Sequence, residues 1–145
     1  MIERSRVTKG WYSTTYSPRL SGRRARDTQP ELVLRKNLHA RGLRYRIHYR
    51  IAPRLRVDIA FPRRKIAVWV DGCFWHGCPE HGRRNFDGPN AANWQMKMQK
   101  NQARDERAVQ EAARSGWKTL RLWECKVLED PNATAEKVLA LLVEP

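Results

Sequence analysis

The sequence predicts an α/β fold, a small mixed sheet flanked by helices, and three observations carry that expectation. Three strand-like runs crowd into residues 45–70. A long segment of helical period follows them. Another strand-like run comes directly after that segment, which implies a parallel return to the same sheet.

Taken in order, residues 1–26 show no sustained apolar period and read as a basic arm, with Arg4, Arg6, Lys9, Arg19, Arg23, Arg24 and Arg26 interleaved with Trp11, Tyr12 and Tyr16. That mixture suits a segment that tracks phosphates and stacks on bases; a solubilising tail is the plainer alternative. Residues 27–145 then form the folded domain. Thr28-Gln29-Pro30-Glu31 has the form of a capping box with proline in the first turn. Leu34 and Leu38 give this first helix its apolar face, and Gly42 marks its stop. Strands are expected over 45–49, 57–61 and 66–70, the last two joined through Pro62-Arg63-Arg64-Lys65 as an antiparallel hairpin. A loop rich in Gly, Pro and Asn spans 72–93, long enough to be functional. The long helix runs from 94 to 115 with Trp94, Met98, Ala108 and Ala112 inward, and Gly116 follows it. A strand at 119–123 and a terminal helix opened by Asp130-Pro131, packing through Val138, Leu139 and Leu142, complete the chain.

Composition narrows the partners. Lysine and arginine number 29 against 15 acids, a net charge of +14, so a polyanion is expected and nucleic acid comes first. No apolar run reaches membrane-spanning length, and the N-terminal residues lack the apolar core of a secretion signal. Three cysteines do not make a disulfide framework, and clustered cysteines in a reducing compartment read as metal ligands.

The stretch VDGCFWHGCPEH concentrates the chemistry. Cys73, Cys78 and His81 have the spacing C-x4-C-x2-H, and Cys125 follows the last strand, a donor set for structural zinc. Spacing leaves His76 open as the fourth ligand in place of His81. Asp58 is a carboxylate within an apolar strand whose Val57, Ile59 and Phe61 are expected on the opposite face. If residue 58 stands opposite residue 69, Asp71 lies diagonally beside it, and the two carboxylates suit a magnesium ion. A solvated Asp58 paired with an arginine is the alternative. Asp105 falls on the inward stripe of the long helix, where it either orients His76 or pairs with Arg104 or Arg107. Glu31 has a bland role as the capping-box carboxylate. Phe74 and Trp75 are large rings on a polar loop and read as an exposed wedge.

The series TQPELVLRKNLHARGLRYRIH, VDIAF, AVWVDGCFWHGCPEHG, NWQMKMQKNQARDERAV and GWKTLRLWEC resembles the very-short-patch repair (Vsr) DNA mismatch endonucleases, of the PD-(D/E)xK restriction-endonuclease-like superfamily, over roughly residues 27–128. The resemblance implies a restriction-endonuclease-like sheet with a structural zinc site. It matches Asp58 to the metal-binding aspartate, His76 to the catalytic histidine, Asp105 to its supporting carboxylate and Glu31 to an acidic residue near the site. Cys73, Cys78 and Cys125, with His81 as fourth, match the zinc ligands, and the Val70 carbonyl and Asp71 join Asp58 as candidate magnesium ligands. Phe74 and Trp75 match the wedge inserted beside a mismatched pair, with Trp94 also near DNA. The chain departs from the family's usual Pro-Gly-x-Pro-Asp and Thr-His patterns, carrying Pro53-Arg54-Leu55-Arg56-Val57-Asp58 and Val70-Asp71 instead.

By the same resemblance the expected reaction is a magnesium-dependent nick on the thymine strand of a T:G mismatch in double-stranded DNA. The expected setting is the bacterial cytoplasm or nucleoid, with the protein a monomer and with mismatch-repair proteins and a cognate cytosine methyltransferase as partners. Two alternatives stay open: a relaxed or sequence-specific nuclease of restriction or phage defence, and a zinc-stabilised DNA-binding module without catalysis.

Overall fold

The computed structural model describes residues 27–73, 78–80 and 88–144, so the basic arm lies outside the described residues. Helix α1 (Gln29–Ala40) starts at the expected capping box. Thr28 N–H donates to Glu31 Oε2 at 2.7 Å, and Thr28 Oγ1 accepts from the Glu31 amide at 3.5 Å. Its end is a Schellman closure: Gly42 takes φ 81°, its N–H reaches the His39 carbonyl at 2.9 Å, and the Leu43 N–H reaches Leu38 at 3.1 Å.

Strands β1 (Arg46–Ala52), β2 (Leu55–Phe61) and β3 (Ile66–Asp71) form an antiparallel meander. The β2–β3 turn is closed by Arg64 N–H to Phe61 at 3.1 Å and Lys65 N–H to Pro62 at 3.2 Å. Strand β1 outruns the expected 45–49 because Pro53-Arg54 turns it straight into β2, setting Ala52 opposite Leu55. Helix α2 (Ala91–Arg114) then carries the chain to β4 (Lys118–Trp123), which pairs parallel to β3 as expected. It starts before residue 94 because the turn at 88–90 closes onto Ala91, whose N–H reaches the Gly88 carbonyl at 3.2 Å. Ala91 and Ala92 favour a helix without marking an apolar face. A second Schellman closure at Gly116 (φ 83°) ends α2, with Trp117 N–H on the Ala112 carbonyl at 2.9 Å. Two helices follow, α3 (Glu124–Glu129), absent from the sequence reading, and α4 (Pro131–Val143).

The sheet order is β1-β2-β3-β4, with helices on both faces. On one face Leu34 and Leu38 of α1, Val127 of α3 and Val138 and Leu142 of α4 pack on Ile59, Phe61, Ile66, Val68 and Leu122. Each such side chain contributes about 1.5–3 kcal/mol by leaving water. On the other face Ala112, with Ala108 and Val109 of α2, covers Leu55, Val57, Ala60, Ala67 and Trp69. One expectation about facing is corrected here. Val57 does not share a face with Ile59 and Phe61 but packs under α2. The pleat breaks at Asp58, opposite which His48 takes a left-handed φ of 47°.

Candidate active site

Three elements converge on Asp58. Register sets it opposite His48 of β1, since Ile47 faces Ile59 and Tyr49 faces Val57. On the other side Ile59 faces Val68, a register that continues toward Trp69 opposite Asp58. Its Oδ2 accepts from the Val70 N–H at 2.8 Å. From the first turn of α1, three residues before Leu34, Glu31 points inward with only 2% of its surface exposed. Ligating atoms of Glu31, His48 and Asp58 all lie within 4.8 Å of one another.

This crowding has an electrostatic cost. Burial pushes the Asp58 carboxyl up to about 7; the Val70 N–H opposes that rise, and the nearby Glu31 and Asp71 carboxylates add to it. Glu31 is divided between two roles. Its Oε2 is held by Thr28, whereas its Oε1 is buried with no hydrogen-bond partner. The capping box and an inward-facing acceptor therefore coexist in one side chain.

His48, which the sequence reading did not single out, is anchored from outside the cluster. Its Nε2 lies 2.9 Å from Asp27 Oδ1, and the same oxygen receives Arg35 Nη2 at 2.8 Å. These two bonds, the histidine's first, hold the Asp27 carboxyl below its usual range. In the sequence the histidine sits inside RIHYR, where it looks like one more polar residue of a half-exposed strand.

Asp71 is differently engaged from the expected magnesium pair. It is buried, and both its oxygens accept from Arg121 Nη1, at 2.8 and 2.9 Å. Arg121 stacks 4.3 Å over the Trp69 ring and also reaches Asp105, 3.6 Å from its Oδ1. The inward Asp105 thus meets an arginine of β4 rather than Arg104 or Arg107 of its own helix. Val70 is half-buried beside Asp58, and Trp94 is half-buried near the start of α2 with Lys97 Nζ 5.9 Å from its ring centre. His76, Phe74, Trp75 and His81 lie outside the described residues.

A second cluster joins the loop to α3. The Sγ atoms of Cys73, Cys78 and Cys125 lie within 4.8 Å of one another, with Cys78 and Cys125 3.7 Å apart, far beyond a disulfide bond. Burial raises the Cys73 thiol to about 12 and also raises that of Cys125. Glu124 accepts from the Cys73 amide at 3.0 Å and Lys126 pairs with Glu80 at 2.9 Å, so α3, which the sequence reading omitted, positions the third thiol. Beyond the β1 side of the sheet, a cleft of about 1470 Å³ is lined by Arg44, Arg46, Arg50, Arg56, Arg63 and Arg64, among others.

A helix carboxylate facing a sheet carboxylate, an arginine-lined cleft along β1 and a separate thiol cluster together have the frame of a nuclease. Comparison with known proteins gives the family. The model of DNA mismatch endonuclease Vsr matches residues 13–81, reaching back into the segment read as the arm. The type II nicking enzyme V.NaeI of Lentzea aerocolonigenes is 37% identical over 139 residues, covering 88% of this chain and 82% of the relative. V.XorIIP of Xanthomonas oryzae is 38% identical over 121 residues, covering 82% and 85%. DNA mismatch endonuclease Vsr of Escherichia coli is 31% identical over 121 residues, covering 82% and 75%. The chain belongs to the Vsr family of DNA endonucleases.

Proposed function

We propose that this protein nicks duplex DNA at T:G mismatches in a divalent-cation-dependent reaction. The observation that carries the chemistry is the pair of facing carboxylates, buried Glu31 and half-buried Asp58, within 4.8 Å of each other. Two inward carboxylates with an orphaned oxygen between them fit a hard cation. Asp58 anchors it, with the Val70 carbonyl beside it. Asp71 holds the Arg121 guanidinium over Trp69 and keeps further lone pairs with which to join the cation.

A cation held by Asp58 and Glu31 would acidify a water molecule and offset the negative charge that builds on the phosphate. The residues of the chain do the rest. His76 accepts the proton of the attacking water as the new P–O bond forms and the old one breaks. Asp105 is the residue proposed to orient His76. Phe74 and Trp75, with Trp94 nearby, enter the base stack, which deforms more readily at a mismatch. The arginine-lined cleft offers phosphate contacts on the folded domain, in addition to those expected of the basic arm.

Cys73, Cys78 and Cys125 are proposed to bind structural zinc, with His81 as fourth ligand and His76 as the alternative; the donor set is soft and already gathered. The proposed setting is the bacterial cytoplasm. The protein acts as a monomer, alongside mismatch-repair proteins and a cognate cytosine methyltransferase.

The test is cleavage of labelled duplexes, T:G-mismatched against fully matched, by wild type, Asp58→Ala and His76→Ala. A magnesium-dependent nick confined to the mismatch and reduced at least 100-fold in both variants is expected. The relatives named as type II nicking enzymes favour a second reading, a nick placed by sequence alone. Equal cutting of the matched duplex supports that reading over mismatch repair. Tight binding with no cleavage leaves only a DNA-binding module.

A further inference from the structure

We propose that His48 is a direct ligand of the divalent cation, so that the centre is a Glu31–His48–Asp58 triad with one nitrogen donor. The proposal rests on the reading of Asp58 as the cation's anchor and goes beyond it.

Four observations carry it. First, the three donors come from α1, β1 and β2 and already lie within 4.8 Å of one another. Ligands around one ion with bonds of about 2.1 Å stand roughly 3 Å apart when adjacent and about 4.2 Å apart when opposite, so small side-chain rotations suffice. Second, Glu31 is 98% buried, and its Oε1 has no partner although Oε2 is fully used by Thr28. A buried acceptor without a donor is the mark of an unfilled position.

Third, the histidine is oriented as metal-binding histidines are. Asp27, ionised and able only to accept, sits 2.9 Å from Nε2, so that nitrogen carries the hydrogen and the lone pair is left on Nδ1. Arg35 Nη2 also lies 3.4 Å from Nε2, but its shorter 2.8 Å bond is to Asp27. The imidazole N–H and the Arg35 guanidinium thus share one carboxylate oxygen instead of competing for a lone pair. Fourth, His48 holds φ 47°, a conformation uncommon outside glycine and retained where surrounding structure demands it. Here that turn of the backbone sets the ring opposite the broken pleat at Asp58.

A nitrogen donor shifts preference from magnesium toward manganese and later divalent ions. The same geometry without ligation would be an imidazolium neutralising two carboxylates, and the measurement must separate the two. Pulsed electron paramagnetic resonance of the full chain, zinc-loaded and titrated with manganese(II), reads directly bound nitrogen. Wild type and His76→Ala should show the nitrogen modulation of a coordinated imidazole, and His48→Asn should lose it. Asparagine is chosen because it tolerates the left-handed backbone. Asp27→Asn, which keeps the imidazole, should weaken manganese binding by about 10-fold or more.

Manganese bound by wild type without nitrogen modulation, or modulation that survives in His48→Asn, overturns the proposal. If Asp58→Asn then abolishes that binding, the Asp58 reading stands while the His48 ligand falls. If wild type binds no manganese at all, both fall together.

Discussion

Asp58 occupies a position where the chain works against itself. Folding buries its carboxyl and turns it toward Glu31, raising it from an ordinary 3.8 to about 7. A group raised in this way contributes stability that is full below the unfolded value and is lost as pH rises through the folded one. Without added divalent cation, the protein should therefore be less stable at pH 8 than at pH 5, by roughly 2–4 kcal/mol from this group. Asp58→Asn keeps an acceptor for the Val70 N–H and removes the charge, so it should flatten that profile and be the more stable protein at pH 8. Urea denaturation of both proteins at the two pH values is the check, and parallel profiles would refute the assignment. Asp58 was legible in the sequence because a lone carboxylate inside VDIAF stands out against its apolar neighbours, although pairing with an arginine on a solvated face was the alternative. His48 was not, because alternation hides a polar residue in a half-exposed strand and no local pattern announces its left-handed backbone. Asp71 was legible as a carboxylate near Asp58, but its partner Arg121 lies 50 residues away on a strand paired in parallel.

Among the elements, those closed by local rules were read closely. The capping box of α1 and the glycines after α1 and α2 bind donors and carbonyls within a few residues of themselves, so sequence neighbours are enough to see them. Helix α3 escaped because six residues are too few to display a period. Yet α3 holds Cys125 against Cys73 and Cys78, and Glu124 on the Cys73 amide. The thiols are raised by burial, so metal binding here must release protons as thiolates form. Purified wild type should carry one zinc ion per chain by elemental analysis. Cys125→Ser should lose most of it and melt lower by about 5 °C or more. Unchanged zinc content in that variant would remove Cys125 from the site and with it the link between loop and sheet.

At the scale of the whole molecule, the net charge of +14 says that a polyanion is the partner, but not where it lies. The fold supplies the place. Edge strand β1 and the β2–β3 turn bring together arginines that are scattered from 44 to 64 in sequence, and together they line the cleft on the side from which His48 reaches Asp58. No single stretch of sequence has that pattern, so only the meander reveals it. Phosphate contacts of this kind act through counterion release, each steepening the dependence of affinity on salt by about 0.9 in logarithmic slope. Arg46, Arg50 and Arg63 are exposed and none belongs to the carboxylate cluster. Replacing all three by glutamine should weaken binding to matched and mismatched duplexes alike and make the salt slope shallower by about 2–3. The folded core and the triad are left intact. Fluorescence anisotropy over a potassium chloride series measures both quantities. An unchanged slope would mean that the DNA backbone crosses another face, and a loss confined to the mismatched duplex would make these arginines readers of the lesion instead of anchors for the strand.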